Sequence, residues 1–132
     1  EDQEYGGSYS TVISAWMELI KQNKPLRIDG DGEQTRDYVH VNDIVSANLF
    51  CANYEGKFVG SCFDVGTGEA ISLNSVKEFV EERYKVKWQQ APERDGDVKH
   101  TLANIDPLRD LGWEANIKIA EGLKKCFIGE TK

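Results

Sequence analysis

Two arginines stand in settings where the chain could aim a guanidinium at an anion. Arg36 follows the turn Asp29-Gly30-Asp31-Gly32 and opens the stretch Arg36-Asp37-Tyr38-Val39-His40-Val41-Asn42-Asp43. Glycines at 30 and 32 let the backbone turn with positive φ or approach a ligand closely. A guanidinium presents a planar fork that grips phosphate in two parallel charge-assisted bonds. The second arginine lies in Arg94-Asp95-Gly96-Asp97, where Arg94 and Asp97 flank a glycine and can point the same way. There an arginine can hold a diphosphate while the aspartate accepts hydrogen bonds from sugar hydroxyls. Each setting also has a plainer reading. Arg36 can be a surface arginine on a β-turn, paired with Asp37 or Glu33, and 94–97 an ordinary solvated loop.

Other candidate chemistry is weaker. The alternating aspartates and glycines at 29–32 lack the 12-residue ligand spacing and terminal glutamate of a calcium loop. Val65-Gly66-Thr67-Gly68-Glu69 has a glycine pair, but Ile71 stands where a dinucleotide fingerprint needs its third glycine. It is expected to be a tight strand-to-helix turn. His40 is expected in a strand and His100 beyond the charged loop, with no clustered ligands for a metal. Cys51 and Cys62 lie in apolar segments that predict inert packing, and Trp16, Trp88 and Trp113 are expected in the core.

The chain of 132 residues fits one domain, 1–132, with 39% hydrophobic residues. Its net charge of −7 argues against partnership with nucleic acid or an anionic membrane. Three cysteines with no CxxC pair read as a reducing compartment without a disulfide framework or zinc site. No apolar run approaches the roughly 20 residues of a membrane span. The start, Glu1-Asp2-Gln3-Glu4, is acidic, unlike a signal peptide. A cytoplasmic setting is expected.

The elements that would position the arginines follow from periodicity and caps. A helix is predicted from a cap at Ser8 or Ser10 to about Gln22, with Val12, Ile13, Trp16, Met17 and Ile20 on one face. Pro25 follows its end. Leu26-Arg27-Ile28 and Tyr38–Val41 are predicted strands. A helix capped by Asn42 or Asp43 runs to about Tyr54 and is apolar most of the way round, which predicts burial on more than one side. Cys62–Val65 is a predicted strand. Ser72 caps a helix with Leu73, Val76, Phe79 and Val80 on one face, ending near Tyr84. A strand is predicted at Val86–Gln89 and an irregular loop at 91–99. Asp106-Pro107 opens a short helix, with aspartate at the cap, that stops at Gly112. The last helix, about Lys118 to Ile128, shows Ile119, Leu123 and Phe127 at i, i+4, i+8. This alternation predicts an α/β domain with about five helices. Its strands are too short and few for a whole doubly wound sheet, so a partial fold is expected.

With these pieces in order, the chain resembles the C-terminal, substrate-binding part of the NAD-dependent nucleotide-sugar epimerase/dehydratases. These are extended short-chain dehydrogenase/reductases, and the UDP-glucose 4-epimerase type is the nearest in flavour. The likeness runs from about Tyr9 to Phe127. It is carried by Pro25–Gly32, Thr35–Asp43, Phe63–Glu69, Arg94–Val98 and the tail Leu111-Gly112-Trp113 with Ala120-Glu121-Gly122-Leu123. The resemblance implies that Arg36 and Arg94 bind the substrate diphosphate and Asp97 the ribose hydroxyls. It places Val12 and Ile13 at a helix start near the nucleotide, and Leu26, Ile28 and Asp29 on the strand beside the base. Three positions depart from the family pattern. Asp29 stands where an aromatic residue is usual, Asp64 where asparagine is usual, and Lys118 where a serine or threonine caps the last helix.

The resemblance also sets an expectation about chemistry. Family catalysis uses a glycine-rich NAD loop and a Tyr-x-x-x-Lys pair. Four residues after Tyr5, Tyr9, Tyr38, Tyr54 and Tyr84 come Tyr9, Ile13, Asn42, Phe58 and Trp88. No catalytic residue and no cofactor site are therefore expected in this chain, NAD being expected only with an N-terminal Rossmann half. The implied function is binding of a nucleoside diphosphate-sugar, most simply a UDP-sugar. The helix near 42–54 and the strand at 63–65 would normally join the cofactor domain. A homo-oligomer or a Rossmann partner chain is thus expected to cover them. The rivals are an interaction or structural module that kept the fold and lost the ligand, and one half of a split enzyme.

Overall fold

The computed structural model describes residues 11–127. Five helices are present among them: α1 (Val12–Lys21), α2 (Val41–Asn53), α3 (Leu73–Glu81), α4 (Asp106–Leu111) and α5 (Ile119–Cys126). The strands are β1 (Leu26–Asp29), β2 (Thr35–Arg36), β3 (Ile71–Ser72) and β4 (Trp88–Ala91). β1 and β4 pair in parallel, with Leu26 opposite Trp88 and Asp29 opposite Ala91. β2 and β3 pair antiparallel, Thr35 opposite Ser72. On its other side, Thr35 forms an isolated parallel bridge to His100.

The main core forms where α1, α3 and α5 bring their apolar faces to β1. Leu26 and Ile28 alternate inward from β1, while Trp16, Val76, Val80, Ile119, Leu123 and Phe127 arrive from the helices. Strand period places Arg27 and Asp29 on the opposite face of β1 from these two core residues. The Trp16 indole adds a polar tie, donating to the Arg27 carbonyl at 2.9 Å. Burying this set supplies the hydrophobic drive, roughly 1.5–3 kcal/mol for each large side chain fully removed from water. A smaller core gathers Ala47 of α2, Leu108 of α4 and Trp113.

Several boundaries differ from the sequence expectation. α1 is capped by Thr11, which accepts from the Ser14 amide; Ser8 and Ser10 lie outside the described residues. The predicted strand at Tyr38–Val41 is absent, because His40 instead caps α2 by accepting from the Asn42 amide at 3.1 Å. α2 therefore begins at Val41, ahead of the expected caps Asn42 and Asp43. Cys62–Val65 has no strand partner among the described residues and forms no ladder. β4 starts two residues later than predicted, in register with β1. Asp106 is the first residue of α4 rather than its cap, which is Ile105. Lys118 precedes α5 and makes no side-chain capping bond. Cys62 is exposed rather than packed. Trp88 is half-buried, edge-on to Trp16 with ring centroids 4.9 Å apart.

α2 also departs from the expectation of burial on several sides. Asp43 and Ala47 face the second core, while Val41, Val45 and Leu49 are 54%, 51% and 58% exposed. At about 100° per residue, these three line up about 180° away from the buried pair, on the opposite side of the helix. The result is an apolar stripe open to solvent.

Candidate functional site

Arg36 ends β2, and its guanidinium is fixed by main-chain oxygens before any ligand arrives. Nη1 donates to the Thr35 carbonyl at 2.8 Å and to the Lys99 carbonyl at 3.2 Å. Nη2 meets Asp97 Oδ1 at 2.8 Å. Its ion-pair partner is neither Asp37 nor Glu33 but a residue 61 positions along the chain. A guanidinium carries five N–H groups. Three are engaged here, so two remain to take an anion.

The 94–97 loop closes as a turn, with the Asp97 amide donating to the Arg94 carbonyl at 3.1 Å. Gly96 takes a positive φ of 79° within it. The turn sends its two ends to different partners. Asp97 goes to Arg36, and Arg94 Nε reaches Asp29 Oδ2 at 2.5 Å. Asp29 is also gripped through its other oxygen by Arg27 Nε. Thus Arg36, Arg94, Asp97 and Asp29 are linked through one loop, although they come from β2, the 94–97 turn and β1.

Asp29 and Asp97 line one cavity of about 200 Å³. Its wall carries five carboxylates (Asp29, Asp31, Glu33, Glu93, Asp97) against Lys99 and His100. Such a surface accepts hydrogen bonds from hydroxyl and amide donors and repels phosphate. No arginine lines this cavity; Arg36 and Arg94 reach it only through their ion pairs with Asp97 and Asp29. His100 Nδ1 is 3.0 Å from Thr35 Oγ1, holding the wall to β2. Among the described residues, no cluster of three metal-ligating side chains occurs.

The glycine turn before Arg36 is scaffold. Gly32 takes a positive φ of 78°, which favours glycine, and a Cβ there would run into the tip of the Asn74 side chain. Asn74 donates to the Asp31 carbonyl at 3.1 Å and Glu33 Oε1 at 2.6 Å. Gln34 Nε2 donates to the Asp29 carbonyl at 3.0 Å, tying the turn to the end of β1.

Asp37, next to Arg36, has a structural task. Its carboxylate accepts from Thr67 N at 2.9 Å, Thr67 Oγ1 at 2.6 Å and Gly68 N at 2.9 Å. A Cβ on Gly66 would strike Asp37 and Ala103. The glycine turn at 66–68 is therefore occupied by an internal carboxylate. α3 begins only at Leu73, so these amides do not form a phosphate cradle at a helix start. This turn does not fit a dinucleotide loop. Tyr38 follows, and burial pushes its phenol above the ordinary value, partly offset by the Arg36 charge.

The remaining expected site residues are placed less directly. Leu26 and Ile28 are 0% and 4% exposed, so their side chains serve the core and only their main chain could face a ligand. Val12 and Ile13 are half-buried at the start of α1, packed against the same core. Sequence reasoning passed over Arg27. Its signal was present in the alternation Leu26-Arg27-Ile28-Asp29, which sets a cation and an anion on one strand face.

Residues 3–66 match the model of the NAD dependent epimerase/dehydratase family. The dTDP-4-dehydro-6-deoxyglucose reductase of Escherichia coli is 32% identical over 122 residues, covering 88% of this chain and 37% of that protein. A crystal structure of the Thermotoga maritima UDP-glucose 4-epimerase with UDP-glucose superposes with a TM-score of 0.77 at 32% identity. That match covers 87% of this chain and 37% of the epimerase. The UDP-N-acetylglucosamine 4-epimerase of Methanobrevibacter ruminantium, in complex with UDP-N-acetylmuramic acid, gives 0.81 at 27% identity. It covers 92% of this chain and 39% of that one. The chain spans a little over a third of the length of the curated relatives it matches.

Proposed function

Because the chain belongs to the NAD-dependent epimerase/dehydratase family, we propose that it is that family's substrate-binding part and holds a nucleoside diphosphate-sugar, a UDP-sugar in the first instance. The observation that carries this reading is the pre-fixed Arg36 fork, with two N–H groups to spare, joined through the 94–97 turn to Arg94 and Asp97. A diphosphate would lie across Arg36 and Arg94. The ribose hydroxyls would donate to Asp97 at the acidic cavity wall, where phosphate is unwelcome and hydroxyls are not. The main chain of β1 near Asp29 would flank the base.

Within the family, hydride transfer is the work of NAD, and the glycine turn of this chain does not fit that cofactor. We assign these residues to binding and orientation and derive no catalytic step from them. We also propose that the exposed stripe Val41, Val45 and Leu49 is covered by a partner. It would pack against a Rossmann half or, without one, against a second copy of the chain. The same stripe is what favours the rival reading of an interaction module that has lost its ligand.

Titration calorimetry with UDP-glucose and UDP separates the two. Binding is expected, and Arg36→Ala and Arg94→Ala should each weaken it about tenfold or more, since a charge-assisted hydrogen bond contributes roughly 1.5–3 kcal/mol. No binding at millimolar ligand, or affinity unchanged in both variants, would sink the proposal.

A further inference from the structure

Asp29 does something no aromatic residue could do at its position. Its two oxygens are taken by two arginines of different origin, Arg27 of β1 through Nε and Arg94 of the 94–97 turn through Nε at 2.5 Å. The Asp29 side chain is 13% exposed, whereas those of Arg27 and Arg94 are 54% and 68% exposed. A largely buried carboxylate with two solvent-facing guanidiniums converging on it is an anion supplied by the protein itself and held as arginines hold a phosphate.

We propose that Asp29 is an internal counter-anion that competes with the substrate diphosphate for Arg94, and that Arg27, held by the same carboxylate, becomes a further diphosphate-binding residue when Asp29 is displaced. This rests on the nucleotide-sugar reading above and adds to it a determinant of affinity. Two cations facing one carboxylate leave a net charge of +1. A diphosphate approaching them meets that reduced field and the acidic wall formed with Asp31, Glu33 and Glu93. To engage Arg27 and Arg94 through Nε, it must take over bonds that Asp29 now makes. The wild-type site is therefore attenuated for polyphosphate ligands. Removing the Asp29 charge should strengthen it, with Arg27 contributing only then.

The experiment is calorimetry of wild type, Asp29→Asn, and Asp29→Asn with Arg27→Gln, using UDP, UDP-glucose and inorganic pyrophosphate. Thermal melts confirm that each variant is folded. Asp29→Ala is the second choice should the asparagine variant be unstable. Asp29→Asn is expected to bind UDP and pyrophosphate about fivefold or more tighter than wild type, the scale of releasing part-exposed ion pairs. Adding Arg27→Gln should abolish the gain. Detectable binding only in Asp29→Asn would equally support the inference. Binding by wild type with equal or weaker binding by Asp29→Asn overturns it and leaves the nucleotide-sugar reading standing, with Asp29 then holding Arg94 in place. Binding by none of the variants overturns that reading and this inference with it.

Discussion

Replacing Asp43 with alanine should destabilise the fold more than any change at the candidate site. Asp43 lies in the first turn of α2 and is 2% exposed. Its Oδ1 accepts from the Asn116 amide and its Oδ2 from the Ile117 amide, each at 3.0 Å. These bonds fasten α2 to the segment between α4 and α5, beside the small core of Ala47, Leu108 and Trp113. A hydrogen bond to a charged group contributes about 1.5–3 kcal/mol net, and its loss leaves two amides short of a partner. A negative charge in the first helical turn adds about 0.3–1 kcal/mol. Asp43→Ala should therefore cost about 3–5 kcal/mol, a large share of the 5–15 kcal/mol typical of a domain. Asp43→Asn keeps one acceptor oxygen and turns an amide N–H₂ toward the other donor, so it should cost about half to two-thirds as much. Urea unfolding followed by tryptophan fluorescence is the assay. Trp113 reports from the site itself, since its Nε1 donates to Ser46 Oγ on α2 at 3.0 Å. With a slope of about 2 kcal/mol per molar urea, the midpoint should fall by about 2 M in the alanine variant. A loss below about 1 kcal/mol would refute the idea that this carboxylate anchors α2.

Other outcomes follow from the same geometry. Asp37→Ala strips three donors from the 66–68 turn and should cost about 2–4 kcal/mol by the same urea assay; a neutral result would show that the turn does not depend on the carboxylate. Tyr38 should ionise above the ordinary phenol value of 10.0, because burial disfavours the phenolate. Its contribution to stability is thus complete below about pH 10 and is lost as pH rises from there through the folded value. Ultraviolet phenolate titration should show a late-titrating tyrosine that disappears in Tyr38→Phe, and an unchanged profile would count against burial of the phenol. Val45→Lys and Leu49→Lys should leave the melting temperature within a few degrees yet reduce association seen by sedimentation. An association state identical to wild type would show that the α2 stripe is not a contact surface.

α1, α3 and α5 were legible in the sequence because each buries a face at helical spacing. Leu73, Val76 and Val80 of α3, Ile119 and Leu123 of α5 and Phe127 just past its end all reach the core as their periodicity requires. The short strands were less legible, because a two-residue strand is defined by its neighbours. Thr35 and Arg36 become β2 only through pairing with Ile71 and Ser72 and the bridge to His100. Tyr38–Val41 has the alternation of a strand, yet His40 serves better as the cap of α2. The same limit governs the site. Arg36, Arg94 and Asp97 could be singled out by type and local setting. The ion pair between Arg36 and Asp97 joins positions 61 residues apart, and that of Arg94 with Asp29 depends on β4 lying beside β1. The partner of Asp37, a turn 30 residues on, was hidden for the same reason.

If Arg36 and Arg94 take the diphosphate of a nucleotide sugar, arginine side-chain NMR will register it at those two guanidiniums. Guanidinium Nε–H signals would be followed while UDP-glucose is added to the labelled chain. Arg109, paired with Asp106 on α4, serves as the internal reference. The Arg36 and Arg94 signals are expected to move in a saturable way while that of Arg109 stays fixed. Saturable binding that leaves both signals unmoved, or no change in any signal at millimolar UDP-glucose, would contradict it.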